Sequence, residues 1–327
     1  MAAFFHKPVL LHEAITSLVP DTSGARAGVY IDATLGGGGH SLNLLQTLEY
    51  QQRLSRSLLI GIDQDADALA AAQVRLQPFG VHFRAVQGNF GDLKSLVESE
   101  LDLDGEPIVR IDGILLDLGI SSYQIDEASR GFSFQKPAPL DMRMSQAATQ
   151  TAADIVATYS EEELAQIFFR YGEEKKSRVI ARAVVREREA TPIETTDALS
   201  AIVRRFFPDY QRAEQTKSLA RIFQALRIEV NRELEVLKSV LQDASDLAAS
   251  GGRIVVISYH SLEDRIVKDF FREGASEDWG PKGVVLKEPL KRATLKLITK
   301  KPIEPNEDET NSNPRARSAK MRVAEKR

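Results

Sequence analysis

Four short runs rich in β-branched and apolar residues recur through the first third of the chain: GVYIDAT (28–34), LLIGID (58–63), FRAVQG (83–88) and IDGILLDLG (111–119). Helical patterns follow the first two, SLNLLQTL (41–48) and DADALAAAQVRL (65–76). A strand followed by a helix and another strand rejoins its sheet in parallel through a right-handed crossover. The alternation therefore predicts a mostly parallel sheet whose ligands bind beyond the carboxyl ends of its strands. RIVVISYH (253–260) predicts a fifth parallel strand. Before it, the apolar stripe Ile222, Leu226, Val230, Leu234, Leu237, Leu241 and Ala244 predicts one long helix over about 221–249. ATLKLITKKPI (293–303) and SAKMRVAEK (318–326) alternate like strands on either side of a polar linker, EPNEDETNSNP, and predict an antiparallel pair at the sheet edge.

Between about 132 and 219 the strand signal vanishes. In SEEELAQIFFRYG, Ser160 and Glu163 form a capping box, and Leu164, Ile167, Phe168 and Tyr171 line one helix face. KSRVIARAVVRERE and DALSAIVRRFF, the latter ending at Pro208, predict two more helices. At 327 residues the chain exceeds what a single core usually serves. The expected organisation is a discontinuous α/β domain of the Rossmann type, 1–131 plus 220–327, carrying an inserted all-helical domain at 132–219.

The absence of cysteine excludes disulfides, thiolate metal sites and any cysteine nucleophile. The five histidines lack the paired spacing of a zinc site on one helix face, so no metal is expected. No run approaches the length of a membrane span and the N-terminus has no leader pattern, which points to the cytoplasm. The formal net charge of -4 hides two basic clusters, 281–301 and 312–327, which suit contacts with nucleic-acid phosphates. Lys175, Arg178, Arg182 and Arg186 share one helix face flanked by acids and read as a solvated surface.

The chemistry concentrates at the strand ends. DATLGGGGH (32–40) places four glycines between the first strand and its helix, where bare backbone lets a ligand approach and helix N–H groups face it. A dinucleotide fingerprint needs a third glycine where Ser41 stands, so the match to a nicotinamide site is poor. An acid just before the glycines, Asp32, suits S-adenosylmethionine instead. Asp63 closes the second strand, where a carboxylate takes ribose hydroxyls or caps the next helix. Phe90 follows the third strand and either stacks on adenine or joins the core. Asp117 ends the fourth. Together these stations describe a Rossmann-like methyltransferase site.

DATLGGGGHS, GNF, LLDLGISSYQID, RGFSF, PLDMRM, ISYHSLEDRIVK and RARSAKMRVAEK resemble the ribosomal RNA small subunit methyltransferase H family, in order and over nearly the whole chain. The resemblance implies a class I methyltransferase fold and S-adenosyl-L-methionine as cofactor. It also implies methylation of the exocyclic N4 of a decoding-centre (P-site) cytidine in 16S ribosomal RNA, so that the partner is the RNA or the small ribosomal subunit. Cofactor positions carry over as Gly38, Gly39, His40, Asp63, Phe90, Asp117 and Gln124. The stretch from Leu44 to Asp63 is longer than expected and reads as a surface loop after the first helix. A homodimer is left open.

Methylating an amine whose lone pair is delocalised into the ring calls for close positioning and an acceptor for its proton. Asp117 is the acceptor candidate, for the substrate amine or for the cofactor. Tyr259 and His260 at the fifth strand end suit stacking on, or hydrogen bonding to, an extruded cytosine. Ser261 with Asp264 reads as a helix cap, and Ser121 and Ser122 as turn residues or polar contacts. RGFSF and PLDMRM suit either a loop over the substrate or a packed hinge.

Overall fold

The computed structural model describes residues 8–20, 28–120, 124–125, 127–280 and 287–327. Seven strands form one sheet: β1 (Val29–Asp32), β2 (Leu58–Asp63), β3 (Phe83–Gln87), β4 (Ile111–Asp117), β5 (Ala248–Ser258), β6 (Leu295–Leu297) and β7 (Lys320–Lys326). Their order is β3-β2-β1-β4-β5-β7-β6. The first five run parallel, whereas β7 runs antiparallel to both β5 and β6, as the sequence predicts. Successive residues of a strand cover opposite faces. Tyr30, Leu59, Leu115 and Val255 pack with α1 (Leu11–Leu18), α2 (Gly39–Tyr50) and α3 (Ala66–Leu76). Their neighbours Ile31, Ile60, Ile114 and Val256 pack on the other side with α4 (Leu93–Glu98) and, from later in the chain, Leu237, Leu241, Val267 and Phe271. The register aligns Asp32 with Gly61, Asp63 with Gln87 and Asp117 with Ile257, so the carboxylates at the ends of β1, β2 and β4 gather at one sheet edge.

The chain divides into two compact units, Met1–Gly119 with Val236–Arg327, and Ile120–Glu235. The second contains α5 (Ala152–Thr158), α6 (Glu161–Arg170), α7 (Ser177–Ala190), α8 (Thr196–Arg204) and α9 (Arg212–Asn231). Its bounds are wider than the expected 132–219 because residues on both flanks feed one core. Phe132, Leu140, Met142 and Met144 pack there with Phe168, Ile222, Phe223 and Leu226. RGFSF and PLDMRM are thus largely packed into this core. Arg130 is buried and donates to the carbonyls of Arg143 and Met144, and a Cβ at Gly131 would sit 2.2 Å from the Pro139 oxygen. The capping box of Ser160 and Glu163 opens α6 as read from the sequence, and Lys175, Arg178, Arg182 and Arg186 are exposed.

The single long helix predicted over 221–249 is two helices. Arg232, at φ 49°, separates α9 from α10 (Glu233–Leu247). The sequence stripe is continuous, but its first half packs in the helical unit and its second half on the sheet. Past β5 the chain enters α11 (Ser261–Gly274), and the expected linker before β7 contains a short helix, α12 (Glu307–Ser312). The anticipated surface loop after the first helix is mostly the helix's own extension to Tyr50, followed by one 3-10 turn at Leu54–Arg56.

The Arg232–Glu235 ion pair is exposed, so it contributes little, while left-handed backbone costs a non-glycine residue about 1 kcal/mol. Arg232→Gly is therefore expected to hold the urea midpoint or raise stability by up to about 1 kcal/mol. A loss of about 1 kcal/mol, the cost of glycine inside a helix, would mean that α9 and α10 are continuous in solution.

Candidate active site

The glycine turn after β1 is tied down by two of the strand-end carboxylates. Asp32 is buried, its Oδ2 accepting from Ser41 Oγ at 2.7 Å and its Oδ1 from the Thr34 amide at 3.2 Å. Burial raises its pKa, while the nearby His40 opposes that rise. Asp63 Oδ2 accepts from the Gly36 amide at 2.8 Å, and its Oδ1 accepts from the Asp65 amide at 2.9 Å. The glycines divide the work. Gly38 has φ 73°, and a Cβ there would press to 3.2 Å from Leu76, while a Cβ on Gly39 would come within 2.6 Å of Pro8 Cγ. Gly36, with φ 48°, has only the Thr34 carbonyl oxygen near a built Cβ, at 4.0 Å, so a ligand can approach its backbone.

Asp117 sits at the centre of a half-buried polar cluster. Its Oδ1 accepts from the Tyr259 hydroxyl at 2.7 Å, its Oδ2 lies 3.6 Å from His40 Nδ1, and its amide donates to Thr34 Oγ1 at 2.7 Å. Burial pushes the Asp117 pKa up, opposed by His40 and the tyrosine hydrogen bond and reinforced by Asp32 and Glu263. Tyr259 titrates well above the usual tyrosine range, chiefly through burial and then through Asp117. The His40 side chain is not open to solvent: its Nε2 meets the Val9 carbonyl at 3.0 Å.

The helix cap expected from Ser261 and Asp264 falls one residue earlier. His260 is the N-cap of α11, its Nδ1 accepting from the Glu263 amide at 3.4 Å. Glu263 in turn accepts from the Tyr259 amide at 2.8 Å and the His260 amide at 3.3 Å. Asp264 is engaged elsewhere, in a bidentate pair with Arg322 at 2.6 and 3.1 Å. His260 is thereby committed to the turn that carries Tyr259. Phe90 is half-buried against the core below the sheet edge. Gln124 is buried and belongs to the helical unit, and Ser121 and Ser122 lie outside the described residues.

Residues 3–327 match the MraW methylase family. The chain belongs to this family. It is 57% identical to "Ribosomal RNA small subunit methyltransferase H" of Chloroherpeton thalassium, over the full length of both chains. The protein of the same name from Chlorobium chlorochromatii is 52% identical over 98% of this chain and 96% of its own. Among solved structures, an rRNA methylase from Streptococcus thermophilus aligns at 10% identity and TM-score 0.38, covering 96% of this chain and 93% of that one. SMU.1697c from Streptococcus mutans, solved in complex with SAH, aligns at 11% identity and TM-score 0.42, covering 99% of each.

In this member of the MraW methylase family several site residues escape sequence reading. Thr34 and Ser41 look like ordinary turn and helix residues, yet they hold Asp117 and Asp32. Glu263 is hidden because the serine cap seemed to account for SLED. The basic clusters also change meaning in three dimensions. Lys291, Arg292, Lys296, Lys320, Arg322 and Arg327 all pair with acids. Among the described residues of the two clusters, Lys287, Lys300, Lys301 and Arg317 are exposed cations without such a partner.

Burial raises the Asp63 pKa to about 6, aided by repulsion from Asp65 and Asp32 and opposed by its two amide hydrogen bonds. The folded state therefore binds this proton more tightly than the unfolded chain, and the ionised carboxylate weakens the fold as pH rises through 4 to 6. Relative to wild type, Asp63→Asn is expected to gain up to about 3 kcal/mol between pH 4 and 7 in urea unfolding. A difference between the two proteins that does not vary with pH would contradict the assignment.

Proposed function

We propose that this protein transfers a methyl group from S-adenosylmethionine to the exocyclic N4 of a decoding-centre (P-site) cytidine in 16S ribosomal RNA. Family membership and the relatives' names support ribosomal RNA as the substrate. The observation that carries the choice of an amine is Asp117, a half-buried carboxylate held by Tyr259 at the end of the central strand. The site suits the cofactor. Gly36 leaves room for close approach, and each Asp63 oxygen, having accepted one amide, retains a lone pair for a ribose hydroxyl. The half-buried Phe90 ring offers a flat face for adenine, while Gly38, Gly39 and His40 form the first turn of a helix whose N-terminus favours a carboxylate.

The cofactor supplies an electrophilic methyl on a sulfonium. The protein's part is to hold the cytosine amine in line with that methyl and to receive its proton. Asp117 accepts a hydrogen bond from the N4 amine, which directs the nitrogen lone pair, and takes the proton as positive charge develops on N4. Its raised pKa makes it a better base than a solvated carboxylate. Tyr259 holds the carboxylate in place, and the cap formed by His260 and Glu263 holds Tyr259. Without cysteine, methylation of carbon 5 through a thiolate adduct is excluded.

The test is transfer of labelled methyl to small ribosomal subunits that lack this modification, followed by nucleoside analysis. Label in N4-methylcytidine at one position is the expected result; label in 5-methylcytidine, or in a ribose, would overturn the reading. Tyr259→Phe is expected to lower kcat by about tenfold while leaving cofactor affinity within threefold, the cost of one hydrogen bond to a charged group. Weakened cofactor binding with undiminished kcat would instead assign Asp117 and Tyr259 to the cofactor.

A further inference from the structure

The acidic stretch between the last two strands reads as a linker, yet Glu309 within it is buried at 9% exposure. Its helix, α12, is capped by Asn306, whose side chain accepts from the Glu309 amide at 2.8 Å. Glu309 Oε1 accepts from the Leu10 amide at 2.8 Å, 299 positions away in sequence. Leu10 is itself unusual, a buried leucine in left-handed backbone at φ 50°. A bulky residue keeps such a conformation only where its surroundings hold it there.

The same peptide group is held from its other side. The carbonyl of Val9, which shares a plane with the Leu10 N–H, meets His40 Nε2 at 3.0 Å. A carbonyl only accepts, so Nε2 carries the proton. A carboxylate on the N–H polarises the peptide and makes its carbonyl a stronger acceptor. With Nε2 anchored, the ring turns Nδ1 toward Asp117 Oδ2 at 3.6 Å, and Pro8 rests against Gly39 of the glycine turn.

We infer that Glu309 is a positioning residue for Asp117: through the Val9–Leu10 peptide it holds the Nε2 proton and the orientation of His40, whose Nδ1 faces the carboxylate. This deepens the proposed function and rests on it for the role of Asp117. The linkage itself is a statement about the protein alone. The C-terminal segment thus acts on the catalytic carboxylate without touching it, by way of one peptide group near the N-terminus.

The experiment compares Glu309→Ala and Glu309→Gln in the full chain. Long-range nitrogen–proton NMR reads the imidazole tautomers, with His40→Gln assigning the signal, and steady-state methyl transfer gives kcat and KM. In wild type His40 is expected to be protonated at Nε2. Glu309→Ala is expected to lose that signature and at least tenfold in kcat, with cofactor affinity within threefold. Glutamine still presents an acceptor oxygen to Leu10, so Glu309→Gln is expected to restore most of both. Should the alanine variant not fold, Glu309→Asp withdraws the acceptor while keeping the charge and is expected to behave like it. A wild-type His40 spectrum and wild-type kcat in the alanine or aspartate variant would overturn the inference. An inactive wild type whose His40 spectrum still responds to Glu309 would overturn the proposed function and uphold the linkage.

Discussion

Asp117 is half-buried and keeps a charge-bearing group at the end of the central strand. A carboxylate placed there is expensive unless it is met by partners, and the surrounding architecture is largely the set of groups that hold it. Tyr259, at the end of β5, donates to one oxygen, His40 in the first turn of α2 sets Nδ1 3.6 Å from the other, and Thr34 in the glycine turn accepts from the Asp117 amide. Thr34 and His40 arrive with the connection that follows β1 and Tyr259 with the one that follows β5, so the group is assembled only when β1, β4 and β5 are in register. That dependence links the fold to the chemistry more closely than any one residue does.

The strand ends also share an electrostatic character. Asp32, Asp63 and Asp117 all have raised pKa values, and repulsion from Asp32 contributes to the shifts of the other two. Three acids crowded at the edge of a low-dielectric sheet are mutually unfavourable. On the proposed function, a cationic sulfonium beside them would relieve part of that repulsion, so the crowding would favour the cofactor. Within this cluster the division of labour is plain. Asp32 is consumed by the turn, Asp63 retains acceptor capacity beside the open face of Gly36, and Asp117 stands with the tyrosine.

The strands, their order of appearance and the strand-end carboxylates were legible because local periodicity and acid placement are properties of neighbouring residues. What escaped depends on residues far apart. One unbroken apolar stripe serves two cores, and only the left-handed Arg232 reveals where it is divided. Ser261 and Asp264 satisfy the pattern of a cap, but β5 runs on to Ser258 and the cap moves to His260. The C-terminal lysines and arginines look free in a linear count, and several of them are paired with acids by folding. Glu309 was invisible in an acidic stretch because its partner lies near the other end of the chain. Gly38 and Gly39 were read as cofactor contacts, and their backbones are also required by the packing of Leu76 and Pro8.

The account turns on Asp117 acting in the chemical step, and a single-turnover experiment with Asp117→Asn addresses that most directly. Enzyme saturated with labelled S-adenosylmethionine would be mixed with excess small subunits, and cofactor affinity measured separately by calorimetry. The account predicts methyl transfer slowed by at least about a hundredfold, as expected for losing a positioned proton acceptor, with cofactor affinity changed by less than threefold. Transfer at the wild-type rate, or a loss explained wholly by weakened cofactor binding, would contradict it.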